Sequence, residues 1–294
     1  GGRFRQGSLA PDPGLTLRGA KQAEAAGRAL ADEVIDGARA LAEARDAFKR
    51  GLGGSALSDA LQNYTVLLPC NKLPTELCIF TSPLLRAIKT ACHLAQQIKY
   101  RAESVGGIRV VVVPGLVEWT RSPVSSVMRT ANDVPRSRKE LLEDELVKMW
   151  SASEMLDLDS AASAFDKDGE ALEGARYGSS WQRFSLRDSV ETWLQEEWGD
   201  DWHTRELLRE SATVLAVSHH HRIDRYTGLE SRDRTKKIGN GDIVHVKESP
   251  LVAGPRRATL HPIPKVDASF STDDLRKECG KRVCDYVLGS DQCG

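Results

Sequence analysis

Apolar positions change their period several times along this chain. From Thr16 to Arg50, Ala, Leu, Glu, Arg and Lys alternate at helical spacing, with Thr16 as an N-cap. The pattern predicts one long helix or two, with Gly27 and Gly37 as weak points. Residues 51–74 hold Gly, Ser, Asn and two prolines and read as a connection or insertion. "ELCIFT" (Glu76 to Thr81) is a short apolar strand. "SPLLRAIKTACHLAQQIKY" follows at once, with Ser82 suited to an N-cap and Pro83 to a first helical position. Leu84, Ile88, Ala91, Leu94, Ala95 and Ile98 then recur on one helical face. "IRVVVV" (Ile108 to Val113) is a β-branched run of the kind covered on both faces, stopped by Pro114.

Further on, Lys139 to Trp150, Leu186 to Trp198 and the shorter His203 to Glu210 read as helices. Thr213 to Val217 reads as a buried strand, and Gly241 to Lys247 alternates like an edge strand. Beyond Ser249, Pro, Arg, Asp and Gly dominate, predicting a loosely packed tail. The division expected is one α/β domain over 1–248, with an insertion near 51–74, and a tail over 249–294. Strands alternating with helices argue a three-layer α/β fold, a mainly parallel sheet with helices on both faces.

Such sheets bind ligands beyond the carboxyl ends of their strands. Three strand ends carry polar groups there: "IFTSPLLRA" brings Arg86, "VVVVPGLVE" brings Glu118 and "AVSHHH" brings His219. Arg86 falls in the first turn of its helix, where a cation opposes the helix dipole; an anion held between Arg86 and the helix N-terminus would remove that conflict. Glu118 follows a buried strand, where desolvation makes a carboxyl a usable general acid. Strand alternation would put His219 and His221 on one side and His220 on the other. Arginine, histidine and a protonatable carboxylate suit phosphate-monoester cleavage, with no metal or cofactor required.

Composition narrows the field. Among 294 residues the net charge is −1, so no global field recruits nucleic acid or an anionic membrane, and no apolar run approaches a membrane span. The six cysteines form no CxxC pair, which argues against zinc and for reduced structural thiols in a cytoplasmic protein. Three adjacent imidazoles, His219 to His221, converge poorly on one ion, so no metal site is expected. The basic stretch Arg222 to Lys237 could meet an anionic substrate or be a solvated loop.

The same segments resemble the histidine phosphatase superfamily, the phosphoglycerate-mutase-like group. "DPGLTLRGAKQA" (Asp12 to Ala23) is similar to its Leu-Thr, Gly, Gln-Ala stretch, and "TSPLLRAIKTA" (Thr81 to Ala91) to its Ser-Pro-Leu-x-Arg-Ala-x-x-Thr-Ala element. "LVE" (Leu116 to Glu118) resembles the segment of the family's proton donor, and "VLAVSHHHRI" (Val214 to Ile223) the strand of its second catalytic histidine. "NDVPRSRKELLEDE" (Asn132 to Glu145) is similar to a segment of the fungal and plant branch. The resemblance implies a phosphate pocket of Arg86, His219 and the Ser82 helix start, with Glu118 and His219 catalytic. His220 stands where the acid-phosphatase branch has Asp, which points to the branch with a Glu donor. The family's nucleophile is a histidine in Arg-His-Gly on a first strand, and residues 1–14 contain neither. The expectation is a copy of the fold whose first strand and nucleophile are missing, acting on a small phosphorylated substrate or a phosphoprotein. The alternative is a non-catalytic relative that binds phosphorylated ligands or protein partners.

Overall fold

The computed structural model describes residues 12, 14–51, 55–67, 76–101, 107–117, 135–159, 193, 195–197, 212–227, 238–247 and 257–261. Helix α1 spans Leu17–Lys49 without a break, and Thr16 Oγ1 accepts from the Gly19 N–H at 3.1 Å, the cap its sequence predicts. Gly27 and Gly37 are not breaks but contact points. A Cβ at Gly27 would lie 2.6 Å from the Leu94 carbonyl oxygen, and one at Gly37 would lie 2.0 Å from that of Thr65. Helical propensity is given up there so that other backbone can approach closely. The 51–74 stretch contains a further helix, α2 (Ala56–Asn63).

Strand β1 (Glu76–Thr81), helix α3 (Leu85–Arg101) and strand β2 (Gly107–Val112) form a parallel βαβ unit, with Leu77 opposite Ile108 and Thr81 opposite Val112. All six residues named above for this face, Leu84 just ahead of α3 and five within it, are buried. A single helix over Lys139 to Trp150 is not what forms: α4 (Arg138–Leu141) and α5 (Glu145–Ala152) are separate. Ser137 and Glu140 close a capping box on α4, and the Asp144 carboxylate accepts from Leu146 and Val147 N–H and from Lys89 Nζ on α3 at 2.8 Å. A cap that also bonds a neighbouring helix starts a new helix where periodicity alone would continue the old one.

Two further strands, β3 (Leu156–Asp157) and β4 (Leu215–Val217), complete a four-stranded parallel sheet of order β3-β2-β1-β4. The fold is therefore α/β. Alternation sends Leu77, Ile79, Val110 and Val112 to a face covered by α1, α3 and α5. Cys78, Phe80, Val111 and Val113 point to the other face, where Trp193, in a helical turn, packs edge-on against Phe80 at 5.3 Å between ring centres. β1 and β2 are buried, as their unbroken apolar runs require, whereas all three residues of β4 are half-buried.

Helix α6 (His220–Thr227) follows β4. Strand β5 (Ile243–Lys247) is not an edge of this sheet: it pairs antiparallel with β6 (Arg257–His261), from Ile243 opposite His261 to Lys247 opposite Arg257. β6 thus gives ordered pairing to part of the stretch expected to be a loose tail. The expected helices at Leu186 to Trp198 and His203 to Glu210 fall outside the described residues apart from 193 and 195–197, which are helical. Cys78 is disulfide-bonded to a partner outside the described residues, while Cys92 is free and buried. The expectation of reduced thiols fails at Cys78, and with it the support that thiols lent to a cytoplasmic location. Among the described residues no helix is long and apolar enough to cross a membrane.

Candidate functional site

Parallel pairing brings the ends of β1 and β4 to one edge. Thr81 lies opposite Val217, and the Ser82 N–H donates to the Val217 carbonyl at 3.2 Å, so the ladder continues one residue past β1. Ser218 Oγ donates to the Leu116 carbonyl at 2.8 Å, tying the exit of β4 to the exit of β2. The next residue is His219, which is past the strand and ahead of α6. Alternation therefore does not govern the histidine run: His219 is buried, while His220 and His221 open a helix with their rings 4.7 Å apart.

His219 Nε2 and Ser82 Oγ share a hydrogen bond of 2.8 Å, both side chains being buried. Ser82 Oγ also accepts from the Leu84 N–H at 3.3 Å, which caps the entry to α3 from the residue the sequence singled out. Pro83 precedes α3 instead of opening it, since the helix begins at Leu85. Burial holds the imidazole of His219 well below its ordinary pKa, and the guanidinium of Arg86 pushes it the same way. At neutral pH, His219 is therefore a neutral imidazole beside a permanent cation.

Arg86 stands in the first turn of α3, as expected, but the conflict with the dipole is met by a residue that sequence reasoning passed over. Asp12 is fully buried; its Oδ2 accepts from the Leu85 N–H at 2.6 Å, and its Oδ1 lies 3.6 Å from Arg86 Nη1. Arg136 donates twice to the Asp12 carbonyl, from Nε at 3.2 Å and Nη2 at 3.1 Å. An internal carboxylate, not a ligand, thus sits at the helix start. Burial raises the Asp12 pKa to about 6, against the lowering pull of the Leu85 N–H, Arg86 and Arg136. The signal that could have found Asp12 was its place between two prolines just before the Thr16 cap, a turn whose side chain must point somewhere.

The structure thus brings together Ser82, Arg86 and His219 of the expected set and adds Asp12, with Arg136 behind it. Glu118 lies outside the described residues, which stop at the buried Val117 just before it. Among the described residues no three His, Cys, Asp or Glu side chains are grouped to hold a metal ion. What remains is an α/β protein with a cation, a buried carboxylate, a neutral imidazole and a hydroxyl gathered at the carboxyl edge of a parallel sheet. No family model, curated protein or solved structure matches the chain.

Proposed function

We propose that this edge is the phosphate-binding half of a phosphomonoester site of the histidine phosphatase, phosphoglycerate-mutase-like type. The observation that carries the reading is the buried Ser82–His219 contact, made between two parallel strand ends with Arg86 one turn into the adjoining helix. Arg86 supplies a fixed charge and a planar fork of donors for an oxyanion. His219, neutral when the site is empty, becomes a better donor once a dianion offsets Arg86 and favours its protonation. In this reading Glu118 is the proton donor to the leaving alcohol, and phosphoryl transfer runs through a phosphohistidine.

None of the seven histidines in the sequence stands in an Arg-His-Gly setting, so the phosphoryl acceptor is not among them. In a second reading the site binds phosphorylated ligands or a phosphoprotein without turning them over. The phosphate pocket is common to both. Titration of the protein with orthovanadate, a phosphate analogue, tests it: the wild type binds and Arg86→Ala does not. Equal affinity in both would end either reading. Incubation of the product of the whole gene with a panel of phosphate monoesters then separates them, since the first requires release of phosphate and the second none.

A further inference from the structure

Asp12 is strained as well as buried. Its φ is 52°, the left-handed region that a non-glycine residue enters at a cost, though Asp tolerates it better than most. The two donors from Arg136 to its carbonyl hold that turn. One carboxylate oxygen is used at the start of α3, while Oδ1, wholly enclosed, has no hydrogen-bond partner and faces Arg86 across 3.6 Å. A buried acceptor without a partner is costly, and a backbone held in a strained turn to place it beside the site's cation calls for an explanation.

Resting on the oxyanion reading above, we infer that Asp12 couples ligand binding at this site to proton uptake: its carboxylate and the incoming oxyanion share Arg86, so a doubly charged oxyanion binds together with a proton taken from solvent onto Asp12 Oδ1. Two negative charges flanking one guanidinium in a desolvated setting repel, and the less expensive arrangement protonates the weaker acid. Burial already brings Asp12 to about 6, so a modest push from a bound dianion carries it through neutrality. Protonation also gives Oδ1 a hydrogen to donate. The charged and titratable groups around it are Arg86 on α3, Arg136 ahead of α4 and, across Arg86, His219 beyond β4. His219 is the competing proton acceptor. Singly charged oxyanions repel Asp12 less and so draw a smaller fraction of a proton onto it.

Sulfate is the probe, because it keeps both charges between pH 5 and 8. Calorimetric titration at pH 7 in two buffers of different ionisation enthalpy counts protons taken up per sulfate bound. His219→Gln should still take up close to one proton. Asp12→Asn, whose amide oxygen can still accept from the Leu85 N–H, should take up clearly fewer protons than wild type and lose the rise in affinity on going from pH 7 to pH 5. Uptake that persists unchanged in Asp12→Asn, or that vanishes in His219→Gln while sulfate still binds, overturns the assignment. If Asp12→Asn does not fold, the His219→Gln result decides alone; if His219→Gln does not bind sulfate, Asp12→Asn decides. Wild type that binds sulfate with no proton uptake defeats only the role of Asp12. Failure of wild type to bind sulfate at any pH between 5 and 8 defeats the oxyanion reading itself.

Discussion

Two charged clusters sit on this sheet, and they are built differently. At one, Arg109 on β2 donates to Asp157 at the end of β3 at 3.3 Å and to Glu197 at 3.0 Å, so a single guanidinium joins two acids from separate elements at hydrogen-bond distance. At the other, Arg86 and Asp12 stand 3.6 Å apart, Asp12 Oδ1 and, at the end of β1, Thr81 Oγ1 have no hydrogen-bond partner among the described residues, and Asp12 and His219 have displaced pKa values in opposite directions. Both clusters set an arginine beside an aspartate. The first is complete in itself and joins β2, β3 and the segment around 197. The second leaves buried polar capacity unspent and two proton affinities poised, the condition expected where a ligand finishes the network.

Replacing the two arginines separates the clusters most sharply. Arg86→Ala should weaken vanadate or sulfate binding by about 10- to 100-fold, the worth of charge-assisted hydrogen bonds. Arg109→Ala should leave that affinity unchanged and lower stability, as read by urea unfolding. A drop in anion affinity for Arg109→Ala would erase the distinction.

Stability against pH gives the next effect. The folded-state pKa of Asp12 is raised from 3.8 to about 6, so the folded protein holds this proton more tightly than the unfolded chain does. Its contribution is favourable below about pH 4 and is lost as pH rises through 6; above that, a shift of roughly two pH units corresponds to a penalty of about 3 kcal/mol. Asp12→Asn removes the penalty and should stabilise the protein by up to about that amount at pH 8, with little gain at pH 4. His219 acts in the opposite sense: its depressed pKa means the unfolded chain binds the proton better, so stability falls as pH drops below 6.5. His219→Gln should flatten that acid limb, and Asp12→Asn should steepen it. Chemical unfolding at a series of pH values resolves the two slopes; identical profiles would mean that neither group is perturbed.

Thr81 gives the smallest effect. Its hydroxyl is fully enclosed and unpaired, so Thr81→Val should leave stability unchanged or raise it by about 1 kcal/mol. A simultaneous loss of anion affinity would enlarge the site to include Thr81, and a clear loss of stability would show that the hydroxyl has a partner in solution.

Much of the fold was legible locally, because helix and strand periods, caps and prolines act over a few residues. The limits of β1, the buried face of α3 and the cap at Thr16 follow from neighbours in sequence. So did the placing of Ser82 and His219 at a shared edge, since parallel strands must end on the same side. Where the reading failed, a distant partner had outweighed a local signal. Gly27 and Gly37 looked like helix breakers, yet Leu94 and Thr65 approach too closely for any Cβ. The helix expected over Lys139 to Trp150 is split by Asp144, which bonds Lys89 on another helix. β5 is an edge strand, as its alternation suggested, but periodicity did not name its partner, β6.

The sequence by itself determined which residues could serve the edge: an arginine one turn into a helix, a serine at its start and a histidine after a strand. Such positions depend on backbone periodicity, which every short segment carries with it. Only the tertiary structure decided what those groups are chemically. Asp12 meets the Leu85 N–H across 73 residues, and no local pattern encodes that contact. Proton affinities depend on desolvation and on charges brought near through space; burial beside Arg86 is what leaves His219 neutral, and burial outweighing two arginines is what leaves Asp12 close to titration.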